Sequence, residues 1–280
     1  MDEAALRADM IEGLEHQIGE PLGASVLSAL QAVPRETFVD DTPYANRASE
    51  EAGTRALAPA TVARMLMTLD ANDGDEVLLV GAGIGYTAAM LSEIVGPRHV
   101  HAVDIDRNAV TVARSNLAEA GYGAALVDRR DGAGGLPEYA PYDRILVEAA
   151  VVTPPRALRE QLADGGRIVY PRGSAEQTIV GVERDGAAVE RDVATVEQDT
   201  SPDAHETGAD AGRDRNNAAP DGFRTVETAG PVRLKPMLVD GEQAGVERNR
   251  ARREDAEIEQ QGHFARTGWE QEWIDWDDRI

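Results

Sequence analysis

Residues 76–86 read Glu-Val-Leu-Leu-Val-Gly-Ala-Gly-Ile-Gly-Tyr. The apolar run in the first half predicts a short strand that is buried on both faces. Three alternating glycines follow it, Gly81, Gly83 and Gly85, and residues 86–95 have the composition of a helix. A strand, a glycine turn and a helix in this order let the backbone approach a ligand closely at the amino end of the helix.

The same alternation continues after this stretch. Further strands are predicted over residues 99–104, 124–129, 144–148 and 167–171, with helices over 107–120 and 155–162. Strands separated by helices predict an α/β fold with a doubly wound, mostly parallel sheet of the Rossmann type. A hairpin with strands over 177–183 and 187–196 and a late strand over 230–238 are predicted to complete the sheet.

The segments on either side of this core differ in composition. Before it, apolar periodicity and Pro59 predict helices over 3–18, 23–32 and 59–69, with an acidic loop over 40–52. Within residues 197–222 alanine is the single apolar type, which predicts a disordered insert. The predicted organisation is a helical, substrate-side region (1–72), a core (73–196), the acidic insert (197–222), and a closing strand with a helical tail (223–280).

Composition limits the classes of function. The 280-residue chain has a formal charge of −23 and a single lysine, Lys235. Because the acidic residues are spread along the chain, they favour a surface adapted to high salt over a patch for basic partners, and they argue against nucleic-acid binding. Without cysteine, disulfides and thiolate metal sites are excluded, and the five histidines have no ligand spacing, so no metal is expected. The acidic start Met1-Asp2-Glu3 and the absence of a long apolar run predict a cytoplasmic protein without membrane contact.

Two carboxylates help to identify the predicted ligand. Asp104 follows Gly83 by 21 positions and ends the next predicted strand, where an acidic side chain accepts hydrogen bonds from ribose hydroxyls. Asp131 follows the third predicted strand, where it is placed to accept from an adenine amino group. The glycine spacing is G-x-G-x-G, which suits S-adenosylmethionine (SAM) better than a pyrophosphate-containing nicotinamide cofactor. The predicted SAM-binding residues are Gly81, Ala82, Gly83, Gly85, Asp104, Ile105, Asp131 and Gly132.

Six segments in order resemble one known family. They are Val33-Pro34-Arg35-Glu36-Thr37-Phe38-Val39, Val80 to Ala89, Ala102-Val103-Asp104-Ile105-Asp106, Arg130-Asp131-Gly132, Pro141-Tyr142-Asp143-Arg144-Ile145 and Gly165 to Pro171. Together they resemble the protein-L-isoaspartate O-methyltransferase family over roughly residues 25–196 and 223–238. The resemblance implies a SAM-dependent methyltransferase that acts on the free carboxylate of isoaspartyl residues in damaged proteins or peptides. The methyl ester then closes to a succinimide, which reopens partly to aspartate.

The chain departs from the family pattern where the methyl acceptor is expected. Leu57 stands in place of the family's functional serine, and Arg55 is a candidate replacement because guanidinium groups bind carboxylates. Leu79 replaces an acidic residue that the family usually carries near the cofactor. Glu148 replaces a small hydroxyl residue and adds a negative charge that would repel a carboxylate. Arg55, Leu57 and Glu148 are therefore the acceptor-site candidates.

Other functions remain open from these residues. The chain could methylate another acceptor, such as a tRNA base or a small molecule, or be a non-catalytic SAM-binding subunit of a complex. A nicotinamide-dependent oxidoreductase is disfavoured by the glycine spacing. Trp269, Trp273 and Trp276 have the i, i+4, i+7 spacing of one helical face, which predicts either docking on the chain's own core or a dimer or partner contact.

Overall fold

The computed structural model describes residues 3–185, 219–220 and 222–237. All of them belong to a compact unit that spans Met1–Asn249. Three predictions fall wholly or mostly outside the described residues: the strand over 187–196, the insert over 197–222, and the tail with Trp269, Trp273 and Trp276.

The chain begins with helices α1 (Glu3–Ile18) and α2 (Ala24–Ala32) and reaches helix α3 (Pro59–Leu69) through a short hairpin. The three predicted helices are confirmed, but the prediction of a loop over 40–52 is wrong at its end. Strand β1 (Ser49–Glu51) pairs antiparallel with β2 (Thr54–Ala56). Ala52 and Gly53, with φ of 49° and 80°, form the two-residue turn. The strands are too short and too polar to carry an apolar alternation, so no local pattern predicts them.

A seven-stranded sheet follows. Its elements are β3 (Val77–Val80), α4 (Tyr86–Val95), β4 (Val100–Asp104), α5 (Arg107–Glu119), β5 (Leu126–Arg129), β6 (Tyr142–Val147), α6 (Arg156–Glu160), β7 (Leu162–Arg172), β8 (Gln177–Arg184) and β9 (Phe223–Val232). The strand order is β5-β4-β3-β6-β7-β8-β9. The first five strands in this order are parallel, and β8 and β9 are antiparallel to their neighbours. The predicted α/β fold with a doubly wound, mostly parallel sheet is confirmed.

The last strands differ from their predicted bounds. β7 begins at Leu162 and runs through Gly165 and Gly166, which were predicted to form a turn before the strand. β9 begins at Phe223 and ends at Val232, whereas the predicted late strand covered 230–238. β8 lies between β7 and β9, so both of its edges are paired over most of its length. Tertiary pairing with β8 sets the bounds of β9, because much of this strand is polar and has no strong apolar pattern.

Strand β3, the middle one of the five parallel strands, is buried on both faces, as its apolar sequence predicted. Val77 and Leu79 pack into one apolar cluster, and Leu78 and Val80 pack into another. No helix in the described part of the chain is long and apolar enough to cross a membrane.

Because β4 and β6 flank β3 in parallel, the carboxyl ends of these three strands meet at one edge of the sheet. The connections diverge to opposite sides there, and α/β proteins bind ligands at such an edge.

Candidate functional site

A cleft lies at the carboxyl ends of β3, β4 and β6. Its volume is about 830 Å³, including the part open to solvent. The loop after β3 is fixed to the neighbouring strand, since the N–H groups of Gly81 and Ala82 donate to Val103 O at 2.8 and 3.1 Å. The cleft is lined by Thr54, Arg55, Leu57, Val80, Gly81, Gly83, Val103, Asp104, Ile105, Gly132, Glu148, Ala149, Leu234, Lys235, Pro236 and Met237.

All three acceptor-site candidates line this cleft, together with five of the eight predicted SAM-binding residues. The remaining three, Ala82, Gly85 and Asp131, do not line it. Ala82 is buried within the loop. Gly85 faces α5, because a Cβ atom there would lie 3.1 Å from the carbonyl oxygen of Ala113. Ala82 and Gly85 therefore support the conformation of the glycine loop without lining the cleft.

The glycines of the loop leave backbone at the surface of the cleft. Gly81 has a φ of 100°, and a Cβ atom added there would lie 3.2 Å from the Cβ of Glu148. Gly83 has a φ of 52°, and its added Cβ would lie 3.6 Å from the carbonyl oxygen of Arg55. Both conformations favour glycine, and side chains at these positions would narrow the space between the loop and its neighbours.

Asp104 is held by the backbone at the end of β4. Its Oδ2 accepts from the N–H of Gly83 at 3.0 Å, and its Oδ1 accepts from the N–H of Asp106 at 2.9 Å. Burial raises the pKa of the Asp104 carboxyl above its ordinary value, and these two hydrogen bonds oppose that shift. The carboxylate is thereby fixed beside the glycine loop at the edge of the cleft.

Asp131 and Gly132 lie on the neighbouring side, after β5. The Asp131 carboxylate accepts from the N–H of Ala133 at 2.8 Å and begins a short 3-10 turn. Gly132 lines the cleft, and a Cβ atom added there would lie 2.3 Å from Val80 Cγ1. The glycine therefore allows this turn to pack directly against the end of β3.

On the opposite side of the cleft, a buried arginine fixes the segment that contains Leu57. Arg35 donates from Nη2 to Leu57 O at 2.7 Å and from Nε to Pro43 O at 2.8 Å. Its guanidinium also lies 4.3 Å from the ring centre of Tyr86, the first residue of α4. Burial lowers the pKa of Arg35, with the nearby Tyr86 opposing the shift. The sequence marked Arg35 as part of a family motif but gave no sign of this anchoring role.

Glu148 follows β6 and faces the glycine loop. Its N–H donates to Val80 O at 2.8 Å, which fixes its backbone beside Gly81. Its side-chain Oε1 is buried and has no hydrogen-bond partner among the described residues. Burial raises the pKa of the Glu148 carboxyl to about 7, with a hydrogen bond from Thr87 opposing the shift and the charge of Asp104 adding to it.

Segment 234–237 also lines the cleft, and it was not predicted to be part of the site. Ala150 holds this segment, since its N–H donates to Lys235 O at 2.9 Å and its carbonyl accepts from Met237 N at 3.1 Å. The side chain of Gln177 bonds both the N–H and the carbonyl of Leu234. The exposed Lys235 lines the cleft and is the chain's one lysine, a signal that the sequence offered.

Comparisons with known proteins agree on one family. The family model described as protein-L-isoaspartate(D-aspartate) O-methyltransferase matches residues 7–198. The protein-L-isoaspartate O-methyltransferase of Methanosarcina mazei is 40% identical over 188 residues, which cover 64% of this chain and 75% of the relative. A solved protein-L-isoaspartate O-methyltransferase has a TM-score of 0.57 and 26% identity, over 64% of this chain and three fifths (60%) of the other. A Plasmodium falciparum structure, described as this type of enzyme with S-adenosyl-L-homocysteine, shares the fold with a TM-score of 0.61, 15% identity and coverage of 85% and 99%.

Proposed function

The chain belongs to the protein-L-isoaspartate(D-aspartate) O-methyltransferase family, and we propose that it transfers the methyl group of SAM to the free carboxylate of isoaspartyl residues in damaged proteins or peptides. One observation carries the proposal. The bare backbone of Gly81 and Gly83 lies beside the fixed carboxylate of Asp104, at the sheet edge where α/β proteins bind ligands.

The residues of this edge fit the methyl donor. Gly81 and Gly83 leave space that a Cβ atom would narrow, as close packing against a nucleoside and its methionine arm requires, and Gly132 lets the turn after β5 pack against β3 beside them. Asp104 is positioned to accept from the ribose hydroxyls, with Ile105 beside it, and Gly132, which follows the predicted adenine partner Asp131, borders the adenine side. When bound, SAM supplies an activated methyl group on a positively charged sulfur.

The other side of the cleft suits a carboxylate acceptor. Arg55 and Lys235 bring positive charge to it, and Thr54 supplies a hydroxyl. Guanidinium binds carboxylate through paired, charge-assisted hydrogen bonds, so Arg55 with Thr54 takes over the role for which Leu57 has no polar group. The acceptor carboxylate is already a nucleophile, so alignment and exclusion of water supply most of the rate and no general base is needed.

A matched pair of peptides tests the proposed reaction. One peptide contains an isoaspartyl residue and the other contains aspartate at the same position, and each is incubated with the full chain and methyl-labelled SAM. We expect base-labile label on the isoaspartyl peptide alone. Equal labelling of both peptides, or SAM binding without any transfer, would exclude the isoaspartyl acceptor.

Two variants test the acceptor side in the same assay. We expect Arg55→Gln to raise the KM for the isoaspartyl peptide by about tenfold, because one charge-assisted hydrogen bond contributes roughly 1.5–3 kcal/mol. Its affinity for SAM should stay within about twofold. Arg98→Gln is the matched control, since Arg98 is exposed and lies outside the cleft lining. An unchanged KM for Arg55→Gln would remove Arg55 from the acceptor site.

The setting of the enzyme is a further part of the proposal. The spread of acidic residues supports action in a salt-rich cytoplasm on other proteins of the cell, without nucleic acid as substrate. The tryptophan face of the tail, Trp269, Trp273 and Trp276, remains a predicted dimer or partner contact. Size measurement of the full chain and of a chain ending at residue 261 tests it, and equal oligomeric states would contradict it.

A further inference from the structure

The least satisfied acidic group in the described part of the cleft is Glu148. It follows β6, and its Cβ lies 3.2 Å from the position that a Cβ atom on Gly81 would take. Its Oε1 is buried and lacks a hydrogen-bond partner among the described residues. A buried polar oxygen without a partner costs free energy, so the fold maintains this carboxyl at an energetic disadvantage until a ligand arrives.

The charged groups around Glu148 come from three elements. The negative charge of Asp104, at the end of β4, disfavours ionisation of the Glu148 carboxyl. Arg55 of β2 and Lys235 after β9 line the same cleft, but neither forms a salt bridge with Glu148. The hydroxyl of Thr87 of α4 opposes the rise in the pKa of the carboxyl. Among the described residues, this carboxylate therefore has no cationic partner.

A cationic ligand would supply the missing partner. In SAM the positively charged sulfur lies between the ribose and the methionine arm. The proposed binding mode would set the ribose at Asp104 and the methionine arm on the loop that begins with Gly81. Glu148 faces Gly81 in the same cleft, so the sulfur would approach its carboxyl. Opposite charges that come close together attract strongly in a partly buried site, where screening by water is reduced.

We propose that Glu148 is a specificity-determining residue that makes the cleft prefer the positively charged methyl donor over its neutral product, S-adenosylhomocysteine. This inference rests on the proposed function, because it takes SAM as the donor. In the transfer, the acceptor oxygen forms a bond to the methyl carbon as the S–CH₃ bond breaks, and the electron pair stays on sulfur. The sulfonium and the acceptor carboxylate both lose their charges, so Glu148 has no cationic partner once the product has formed.

The ionisation of Glu148 makes the affinity for SAM depend on pH. Between pH 6 and pH 8, a group with a pKa of about 7 passes from roughly one-tenth to roughly nine-tenths ionised. SAM prefers the ionised form, so its affinity should rise with pH and its binding should release protons near neutrality. S-adenosylhomocysteine has the same ribose and ammonium groups without the sulfonium charge, so contributions that the two ligands share cancel in their ratio.

Calorimetric titration of the full chain with each ligand at pH 6, 7 and 8 tests this inference. We expect the preference for SAM over S-adenosylhomocysteine to grow by about fivefold or more from pH 6 to pH 8. In Glu148→Gln, the ratio of the two dissociation constants should be independent of pH and should favour SAM less at pH 8. Glu160→Gln, an exposed partner of Arg156 outside the cleft lining, should behave as the unmodified chain.

The outcomes separate this inference from the proposed function. If SAM binds but the ratio is constant with pH in the unmodified chain, the role of Glu148 is refuted and the methyltransferase assignment stands. The same conclusion follows if Glu148→Gln retains the pH-dependent ratio. If the unmodified chain binds neither ligand, the proposed function fails, and this inference fails with it. The titration of the unmodified chain decides the matter even if Glu148→Gln does not fold.

Discussion

The two edges of the parallel sheet treat acidic side chains in opposite ways. At the amino edge, Glu76 lies between two histidines, with His99 Nδ1 at 2.7 Å from its Oε1 and His101 Nε2 at 3.0 Å from its Oε2. At the carboxyl edge, Glu148 has an oxygen without a partner among the described residues. One edge satisfies its carboxylate within the fold, and the other leaves capacity for a ligand.

The pKa values of the two groups diverge accordingly. Burial alone would raise the pKa of Glu76, but hydrogen bonds from His99 and His101 bring it below its ordinary value. Burial raises the pKa of Glu148 to about 7, and the neighbouring Asp104 adds to the shift. Substitutions at the amino edge should therefore change stability, whereas those at the carboxyl edge should change ligand binding.

The largest effect is expected from closing the gap between the glycine loop and α5. Gly85→Ala places a side chain at a φ of 89° and 3.1 to 3.3 Å from backbone and side-chain atoms of Ala113. We expect it to lower the free energy of unfolding by about 2–4 kcal/mol, through left-handed strain and overpacking. SAM affinity should fall as well, because the loop and α4 must shift. Urea denaturation and calorimetry measure the two changes.

Gly121→Ala is the matched control for this substitution. Gly121 also has a φ of 89°, but an added Cβ atom would meet nothing within 4 Å. We expect a loss of about 1 kcal/mol from the left-handed strain alone, without an effect on SAM affinity. Equal losses for the two variants would mean that contact with α5 has no part in shaping the loop.

An intermediate effect, a loss of SAM affinity, is expected from substitution of Asp104 at the carboxyl edge of the sheet. Asp104→Ala should weaken SAM binding at least about tenfold, which is about 1.4 kcal/mol. Asp128→Ala is the control on the neighbouring strand β5, because Asp128 is partly exposed, pairs with Arg130 at 3.3 Å and does not line the cleft. An unchanged dissociation constant for Asp104→Ala would refute the ribose role.

A ligand analogue separates direct contact from loosening of the loop, since Asp104 also accepts from the N–H of Gly83. The 2′,3′-dideoxy analogue of S-adenosylhomocysteine lacks both ribose hydroxyls. If Asp104 binds those hydroxyls, Asp104→Ala should weaken S-adenosylhomocysteine but leave the analogue nearly unchanged. Equal weakening of both ligands would assign the effect to the loop.

The predictability of the two sides of the cleft follows from the range of the contacts that build them. Gly81, Gly83 and Asp104 could be predicted to lie together because strand, glycine turn and strand end are local patterns. Arg35 was missed as an anchor because its bond to Leu57 joins residues 22 positions apart. Lys235 was missed because pairing after β9, and not a local pattern, brings it to the cleft.

Glu148 stands between these cases. The sequence placed it at a strand end and gave it a charge that should repel a carboxylate. Its burial and its unpartnered oxygen depend on Gly81 and on the neighbouring strands, so the sequence could not indicate its protonation. Asp131 differs from Glu148. It lies at the end of a strand, as predicted, but it is not part of the described cleft lining.

The smallest effect is expected at the amino edge, where Glu76→Gln should change stability and not binding. At pH 7 we expect a loss of about 1 kcal/mol or less in the free energy of unfolding, since the pair with the half-exposed His99 is screened by solvent. The pKa of Glu76 is lowered by folding, so its contribution is complete above the ordinary carboxyl pKa and disappears as pH falls through the lowered value. Urea denaturation at pH 7, 5 and 3.5 should show that the difference in the free energy of unfolding between the two proteins shrinks at acid pH.

SAM affinity of Glu76→Gln at pH 7 should stay within about twofold of the unmodified chain. A loss of affinity as large as that of Asp104→Ala would mean that the two edges are coupled through β3 and β4, and the division between a structural edge and a ligand edge would have to be abandoned.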